Sequence, residues 1–355
     1  MAVELRLHSD TSPAAVADEL EALGVPAERL GRWRLSREGY RATAWVSRDA
    51  NGAAITAALT SGRPATAAVK IVDVWWRDES AATALLDTII ARSRALGDAA
   101  VKWEIPVGAV LPEFAAEKGF VAMRRPWAAV GTEDVGGFVR WLSSPHHDEP
   151  GYYAQTTLFT CGAVAALIAA EGSAGGGFRG DDTDRDTEIG FWRRASNYPA
   201  CEPVGLAVAL HDHLGAPVEV ALDTDGPALL EGFTGFDRSF RAELQQDSLR
   251  QAGERGIPVR RDRVDVAELA RRVGAGERAL LLIDEAPMHG ETGPHWIVAH
   301  ALVGDAVIVE DPWINVDAGE TWVDVHEMPV LPEDLDQLVR WSAEGYRGIV
   351  FTRVG

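Results

Sequence analysis

Residues Ala163 to Ala170 form an uninterrupted apolar run, and a helix built from it has no polar face to turn toward water. Such a segment must be surrounded by other elements, so it reads as a buried helix at the centre of a folded unit. The run is entered through Cys161 and Gly162, and Gln155 stands six residues before the cysteine in Gln-Thr-Thr-Leu-Phe-Thr-Cys-Gly. A helix N-terminus favours the thiolate over the thiol, and a nearby imidazolium lowers a cysteine pKa further. Gly162 is expected to leave room for a substrate beside the sulfur.

The remaining parts of a nucleophile site lie far downstream. His295 follows a Gly- and Pro-containing loop and heads the strand-like Trp296 to Val303. A second strand, Ala306 to Glu310, folds back across Gly304-Asp305 and returns Asp311 toward His295. A carboxylate there can hold one imidazole nitrogen and leave the other facing the sulfur. Gln155 is placed to set a side-chain amide beside the Cys161 N–H, giving two donors for a developing oxyanion.

At 355 residues the chain has length for two domains. Its formal net charge of −20 is unevenly spread: residues 1–140 hold 18 acidic and 17 basic side chains, whereas residues 141–355 hold 36 and 17. The acidic half argues against nucleic acid as a partner and suits a cationic ligand. No run approaches the roughly 18 apolar residues of a membrane span, and the charged first ten residues do not read as a leader. Two cysteines cannot build a disulfide framework, so a reducing, cytoplasmic location is expected. The charge shift coincides with Ser143 to Gly151, a polar segment with two prolines that reads as an exposed linker between domains 1–142 and 152–355.

In the first domain Ser12 caps a helix through about Leu23, with Pro13 at its first position. Gly39 to Val46, Ala65 to Trp76 and Val101 to Ile105 read as strands. Glu79 to Leu96 and Leu111 to Lys118 read as helices. In the second domain Pro203 to Leu214 and Val264 to Val273 read as helices, and Val218 to Leu222 and Ala279 to Asp284 as strands. Gly172 to Asp186 reads as a loop whose length and composition would permit a lid over the site. The overall class is α+β.

The set Gln155, Cys161, His295 and Asp311 resembles the papain-like cysteine peptidases, and most closely the C39-like family related to bacteriocin leader peptidases. The resemblance covers roughly Gly151 to Phe351. It implies Cys161 as nucleophile, His295 as general acid/base, Asp311 as its orienter and Gln155 as oxyanion donor, acting on a peptide or small peptide-like amide. Ala154 precedes Gln155 where the family commonly has an acidic residue, and no transporter segment is present, so neither substrate choice nor export carries over.

The strand Val69 to Trp76, followed by Arg77-Asp78-Glu79-Ser80-Ala81-Ala82, looks like the core of the GNAT acetyltransferases, as does Phe114-Ala115-Ala116-Glu117-Lys118-Gly119-Phe120. That family binds the coenzyme A pyrophosphate on backbone N–H groups between strand and helix. Here Ser80 and Ala82 stand at the glycine positions, Asp78-Glu79 put negative charge at the anion site, and Ala115 stands at the tyrosine. The resemblance implies a GNAT-like α/β domain without acetyl-CoA chemistry, and an active acetyltransferase is disfavoured on the same residues.

No cofactor and no metal site are expected. Cys201, His146-His147-Asp148 and His211-Asp212-His213 read as incidental surface or loop residues, and His300 as a packed one. Asp284-Glu285 and Asp181 to Asp186 read as acidic loops. Water or an amine could complete the reaction at an acyl-Cys161, so hydrolysis and acyl transfer (an amide synthase) both stay open. A non-catalytic binding protein is the remaining reading.

Overall fold

The computed structural model describes residues 12–196 and 199–353. The first ten residues, read above as no leader, lie outside it. The chain divides into two compact units, one of residues 1–123, 131–145 and 315–324 and the other of residues 124–130, 146–314 and 325–355. Among the described residues no helix is long and apolar enough to cross a membrane.

The first unit contains α1 (Pro13–Ala22), α2 (Ala27–Arg34), β1 (Thr43–Arg48), β2 (Ala54–Ser61), β3 (Ala68–Trp76), α3 (Glu79–Leu96), β4 (Ala100–Pro106), α4 (Glu113–Glu117), β5 (Val121–Ala122) and β6 (Val135–Trp141). Ser12 caps α1 through its hydroxyl, as its sequence implies. The sheet order is β1-β2-β3-β4-β6-β5, antiparallel except for β3 and β4, which α3 joins as a crossover. The β3–β4 ladder runs only from Ala68/Ala100 to Ile71/Trp103. A cavity of about 500 Å³, lined by Asp73, Trp76, Trp103 and Glu104, lies beside the ends of both strands.

Strand alternation sends Ile71 to a core with Leu85, Leu86, Ile89 and Ile90 of α3, and Val72 to a core with Leu20, Leu30 and Trp33 of α1 and α2. The first unit is thus a mixed sheet with a single parallel crossover and helices on both faces.

Two of the chain's three lysines, Lys70 and Lys102, point inward from this sheet and are fully buried. Apart from Glu104 of β4, their partners come from the downstream segment 315–324. Lys70 Nζ lies 2.7 Å from Glu104 Oε2 and pairs with Asp324, and Lys102 Nζ donates to the Val323 carbonyl at 2.8 Å. Burial pulls the Lys70 pKa down, but Asp324 and Glu104 outweigh it and raise it above its ordinary value. Nearby, Arg63 Nε lies 3.1 Å from Glu320 Oε1, which also accepts from Tyr40 at 2.8 Å.

The second unit contains α5 (Cys161–Ala169), α6 (Asp184–Ala195), α7 (Pro203–Leu214), β7 (Val218–Leu222), α8 (Gly235–Glu254), β8 (Val259–Arg260), α9 (Val266–Gly274), β9 (Arg278–Asp284), α10 (Ala286–His289), β10 (Pro294–Val303) and β11 (Ala306–Glu310). After the excursion through 315–324 come the end of α11 (Trp322–Val325), β12 (Met328–Val330), α12 (Pro332–Leu338) and β13 (Gly348–Thr352). The sheet order is β12-β11-β10-β9-β13-β7-β8. Every residue of α5 is buried, as its composition requires, against Leu280, Leu282, Trp296, Val298 and Val350 of the sheet and against α6 and α7. Helices on a largely antiparallel sheet make this unit α+β.

Segment 143–151, expected to be an exposed linker, is only partly so. The side chain of His147 is 11% exposed and approaches Glu327, and Glu149 accepts from the Arg124 N–H at 2.6 Å. Buried polar partners, invisible to local composition, hold it.

Candidate active site

Cys161 is the first residue of α5, where backbone N–H groups have no intrahelical acceptor. The loop leading into the helix is fixed by Glu188 of α6. Its fully buried carboxylate accepts from Thr156 N–H at 2.9 Å, Thr156 Oγ1 at 2.7 Å, Thr160 Oγ1 at 2.5 Å and Tyr153 Oη at 3.2 Å. Sequence reasoning did not find Glu188, which sits in a polar helix that carries no apolar period. Four donors converging on one carboxylate set the approach of residues 153–160 to Cys161.

His295, the second residue of β10, and Asp311, just past β11, are brought together by the hairpin. His295 Nε2 lies 2.7 Å from Asp311 Oδ1, which also accepts from the Trp313 N–H at 2.9 Å. The Asp311 carbonyl accepts from Tyr152 Oη at 2.9 Å, and its N–H donates to the Val325 carbonyl at 3.1 Å. Asp311 engages Nε2, and the ring also interacts with the Cys161 side chain. Burial alone would lower the His295 pKa. The charge and hydrogen bond of Asp311 and the contact with Cys161 outweigh it, and the pKa is raised well above 6.5. Glu285, expected in an acidic loop, places its Oε1 3.9 Å from His295 Nδ1.

Gln155 is tied to the same corner, its N–H donating to the Pro312 carbonyl at 2.8 Å. Its Nε2 donates one hydrogen to the Thr157 carbonyl at 2.8 Å, while Oε1 is buried without a hydrogen-bond partner among the described residues. A primary amide has two N–H bonds, so one remains for a ligand. The structure thus gathers Cys161, His295 and Asp311 at one end of α5 and places Gln155 alongside Pro312.

Gly162 has a different role from the one expected. A Cβ there would stand 2.9 Å from Cys201 Cβ and 3.1 Å from both Cys201 Sγ and Trp296 Cδ1, so the glycine allows close packing inside the core rather than access for a substrate. Cys201 is accordingly no loose loop residue. It is buried, its carbonyl accepts from Trp296 Nε1 at 2.9 Å, and burial, with smaller contributions from Cys161 and Glu202, pushes its thiol pKa well up. Neighbouring Tyr198 lies outside the described residues.

The segment 172–186 is also tied down rather than poised to close. The Asp184 carboxylate accepts from the Arg179 and Gly180 N–H groups at 2.9 and 2.7 Å, and His213 Nε2 lies 2.7 Å from the Gly176 carbonyl. Phe178 stacks on Tyr153 with ring centroids 3.8 Å apart. His211 Nδ1 lies 3.2 Å from the Ala216 carbonyl and Asp212 pairs with Arg255 at 2.7 Å, so that run serves the fold. Outside the cysteine site, His147, His300 and Glu327 are the one group of metal-ligand types found close together among the described residues.

A profile of the Peptidase_C39 like family matches residues 150–353, more than half of the chain. Among solved structures, the chain is similar to a GNAT family N-acetyltransferase from Escherichia coli in complex with CoA, at 17% identity and a TM-score of 0.32, covering 40% of this chain and 84% of that one. It is also similar to a tandem GNAT protein from the clavulanic acid biosynthesis pathway, at 17% identity and a TM-score of 0.28, covering 36% of this chain and 46% of that one. No curated protein sequence matches.

Proposed function

The chain belongs to the Peptidase_C39 like family, and from that premise we propose that it is a cysteine hydrolase acting on a peptide or peptide-like amide through an acyl-Cys161 intermediate. The observation that carries this reading is His295, held by Asp311 at 2.7 Å through Nε2 while its ring also interacts with Cys161. The Cys161 thiolate adds to the amide carbonyl carbon, and the oxyanion takes hydrogen bonds from the Cys161 N–H and the second N–H of Gln155 Nε2. Each such donor contributes roughly 3 kcal/mol to the transition state. The C–N bond breaks as the His295 imidazolium protonates the leaving amine, leaving a thioester and a neutral imidazole. A water molecule then adds to the thioester with its proton going to His295. The acid departs, and thiolate and imidazolium are restored.

Asp311 and the nearby Glu285 place negative charge around His295, which favours a substrate with positive charge near the scissile bond.

The pH dependence of alkylation tests the pair directly. The folded pKa of His295 lies well above 6.5, so the imidazolium and the support it lends the thiolate are fully present below 6.5 and lost as pH rises through the raised value. Iodoacetamide is therefore expected to label Cys161 below pH 7, read by mass spectrometry, while buried Cys201 stays unlabelled. His295→Ala should remove the labelling at low pH, and Asp311→Asn should move its alkaline limit downward. Slow, equal labelling of both cysteines would overturn the reading.

In the first unit, we read the GNAT-like fold as having no acetyl-CoA chemistry. Support comes from Asp78, which caps α3 by accepting from the Ala81 N–H at 3.1 Å and also accepts from Ser80 Oγ at 2.6 Å. A carboxylate thus takes a donor that a pyrophosphate would need and adds like charge beside it. Titration calorimetry of the full chain with acetyl-CoA is expected to show no micromolar binding, and a stoichiometric isotherm would refute this.

A further inference from the structure

Glu310 and Asp311 are consecutive, yet they serve different partners. Asp311 holds His295, whereas the fully buried Glu310 belongs to a second set of side chains: His147, Glu149, His300, His326 and Glu327. None of these takes part in the cysteine chemistry above.

His300 falls where the β10–β11 register shifts, between Ala299 and Ala301, a bulge that re-aims its side chain. Its Nε2 lies 3.3 Å from Glu327 Oε1 and 3.1 Å from Glu310 Oε1. His147 Nε2 lies 2.6 Å from Glu327 Oε2, and the His147 and His300 rings are 5.6 Å apart. One ligand atom from each of His147, His300 and Glu327 can be chosen so that all three lie within 4.8 Å of one another. Glu327 is buried, and its Oε1 accepts no hydrogen bond among the described residues although it faces His300.

Zinc ligands at about 2.0–2.2 Å in a tetrahedron stand roughly 3.3 Å from one another, the separation already present between His300 and Glu327. The carboxylate that would sit behind them is itself oriented. Glu310 Oε2 lies 2.6 Å from His326 Nδ1, its Oε1 accepts from the Glu327 N–H at 3.0 Å, and His326 Nε2 lies 2.8 Å from Glu149 Oε1. Such carboxylate–histidine chains commonly fix metal ligands. Three carboxylates and three imidazoles converge here, donor types that suit a transition-metal dication.

We propose that His147, His300 and Glu327 form a binding site for a Zn²⁺-type transition-metal dication, with Glu310 supporting them or supplying a fourth oxygen. This differs from the expectation that no metal is bound, which rested on the absence of zinc-finger spacing. The ligands come instead from positions 147, 300 and 327, and sequence spacing carries no sign of them. The burial of the site marks it as structural, a clasp behind the strand end that presents Asp311.

The test uses the full chain without a polyhistidine tag, analysed for metal by mass spectrometry and titrated with Zn²⁺ against a chromophoric chelator. The expected result is one Zn²⁺ per chain, bound at least tenfold more weakly in His300→Ala and Glu327→Gln and unchanged in Cys161→Ala. His147→Ala, in a segment outside helices and strands, provides the same readout if the buried variants do not fold. Co²⁺ is expected to give a spectrum without thiolate charge-transfer absorption. Absence of Zn²⁺ and Co²⁺ binding would overturn the proposal. So would binding that survives His147→Ala and Glu327→Gln, or a thiolate band that disappears in Cys161→Ala, which would place the ion at the cysteine site.

Discussion

Replacing Cys161 with alanine is expected to lower turnover of a peptide or peptide-like amide by roughly 10⁶-fold, the scale on which loss of a triad nucleophile is felt elsewhere. The effect is large because every later step needs the thioester, and no other thiol can form it. Cys201, the chain's only other cysteine, is buried, and its carbonyl and side chain pack against Trp296 and Gly162. Asp311→Asn is expected to cost less, about 10²–10⁴-fold, because asparagine can still hold the ring while losing the charge that keeps it protonated. Steady-state kinetics on an amide substrate separates the two. Full activity in Cys161→Ala would remove the cysteine-hydrolase reading and leave a binding function in its place.

The second large effect is on stability. Lys70→Met should destabilise the first unit by about 3–5 kcal/mol, because it leaves Glu104 and Asp324 buried near each other without their shared cation. Chemical denaturation followed by tryptophan fluorescence reads this well, since Trp33 and Trp103 lie in the two cores flanking that sheet. The double variant Lys70→Met with Asp324→Asn should recover part of the loss by removing one stranded charge. A single variant as stable as the parent would mean that the pair makes no net contribution.

The elements whose ends agree with their sequence pattern are those with strong local signals. α3 runs over Glu79–Leu96 with its apolar stripe inward and Gly97 closing it in the left-handed region at φ 82°. α7 and β7 occupy Pro203–Leu214 and Val218–Leu222 as expected, and the β10–β11 hairpin turns at Gly304 with φ 59°. Elements without a stripe were silent. β2 is buried on both faces and shows no alternation. α8 buries Gln245, Ser248 and Ala252, and α6 buries Asp184 and Glu188, so neither shows a continuous apolar face.

At the candidate site, residue type and context mark Gln155, Cys161, His295 and Asp311 as the residues on which the proposed chemistry rests. A thiol entering an all-apolar helix and a histidine heading a strand hairpin are local facts, and the hairpin itself shortens the 16-residue gap between His295 and Asp311 to a 2.7 Å contact. Glu188 and the roles of Gly162 and Cys201 were not legible, since each depends on what a neighbouring element places against it.

The sequence by itself determined the α+β class, the division of charge along the chain, the buried character of α5 and the chemistry available at its N-terminus. All of these follow from side chains close in the chain and from the periods of helix and strand. Tertiary structure alone decided which buried charges are satisfied: Lys70 by Asp324, Glu188 by Tyr153, Thr156 and Thr160, and His147 by Glu327. A charge far from water is tolerated only beside its partner. These partners lie 28 to 254 residues away in sequence, beyond the reach of any local pattern.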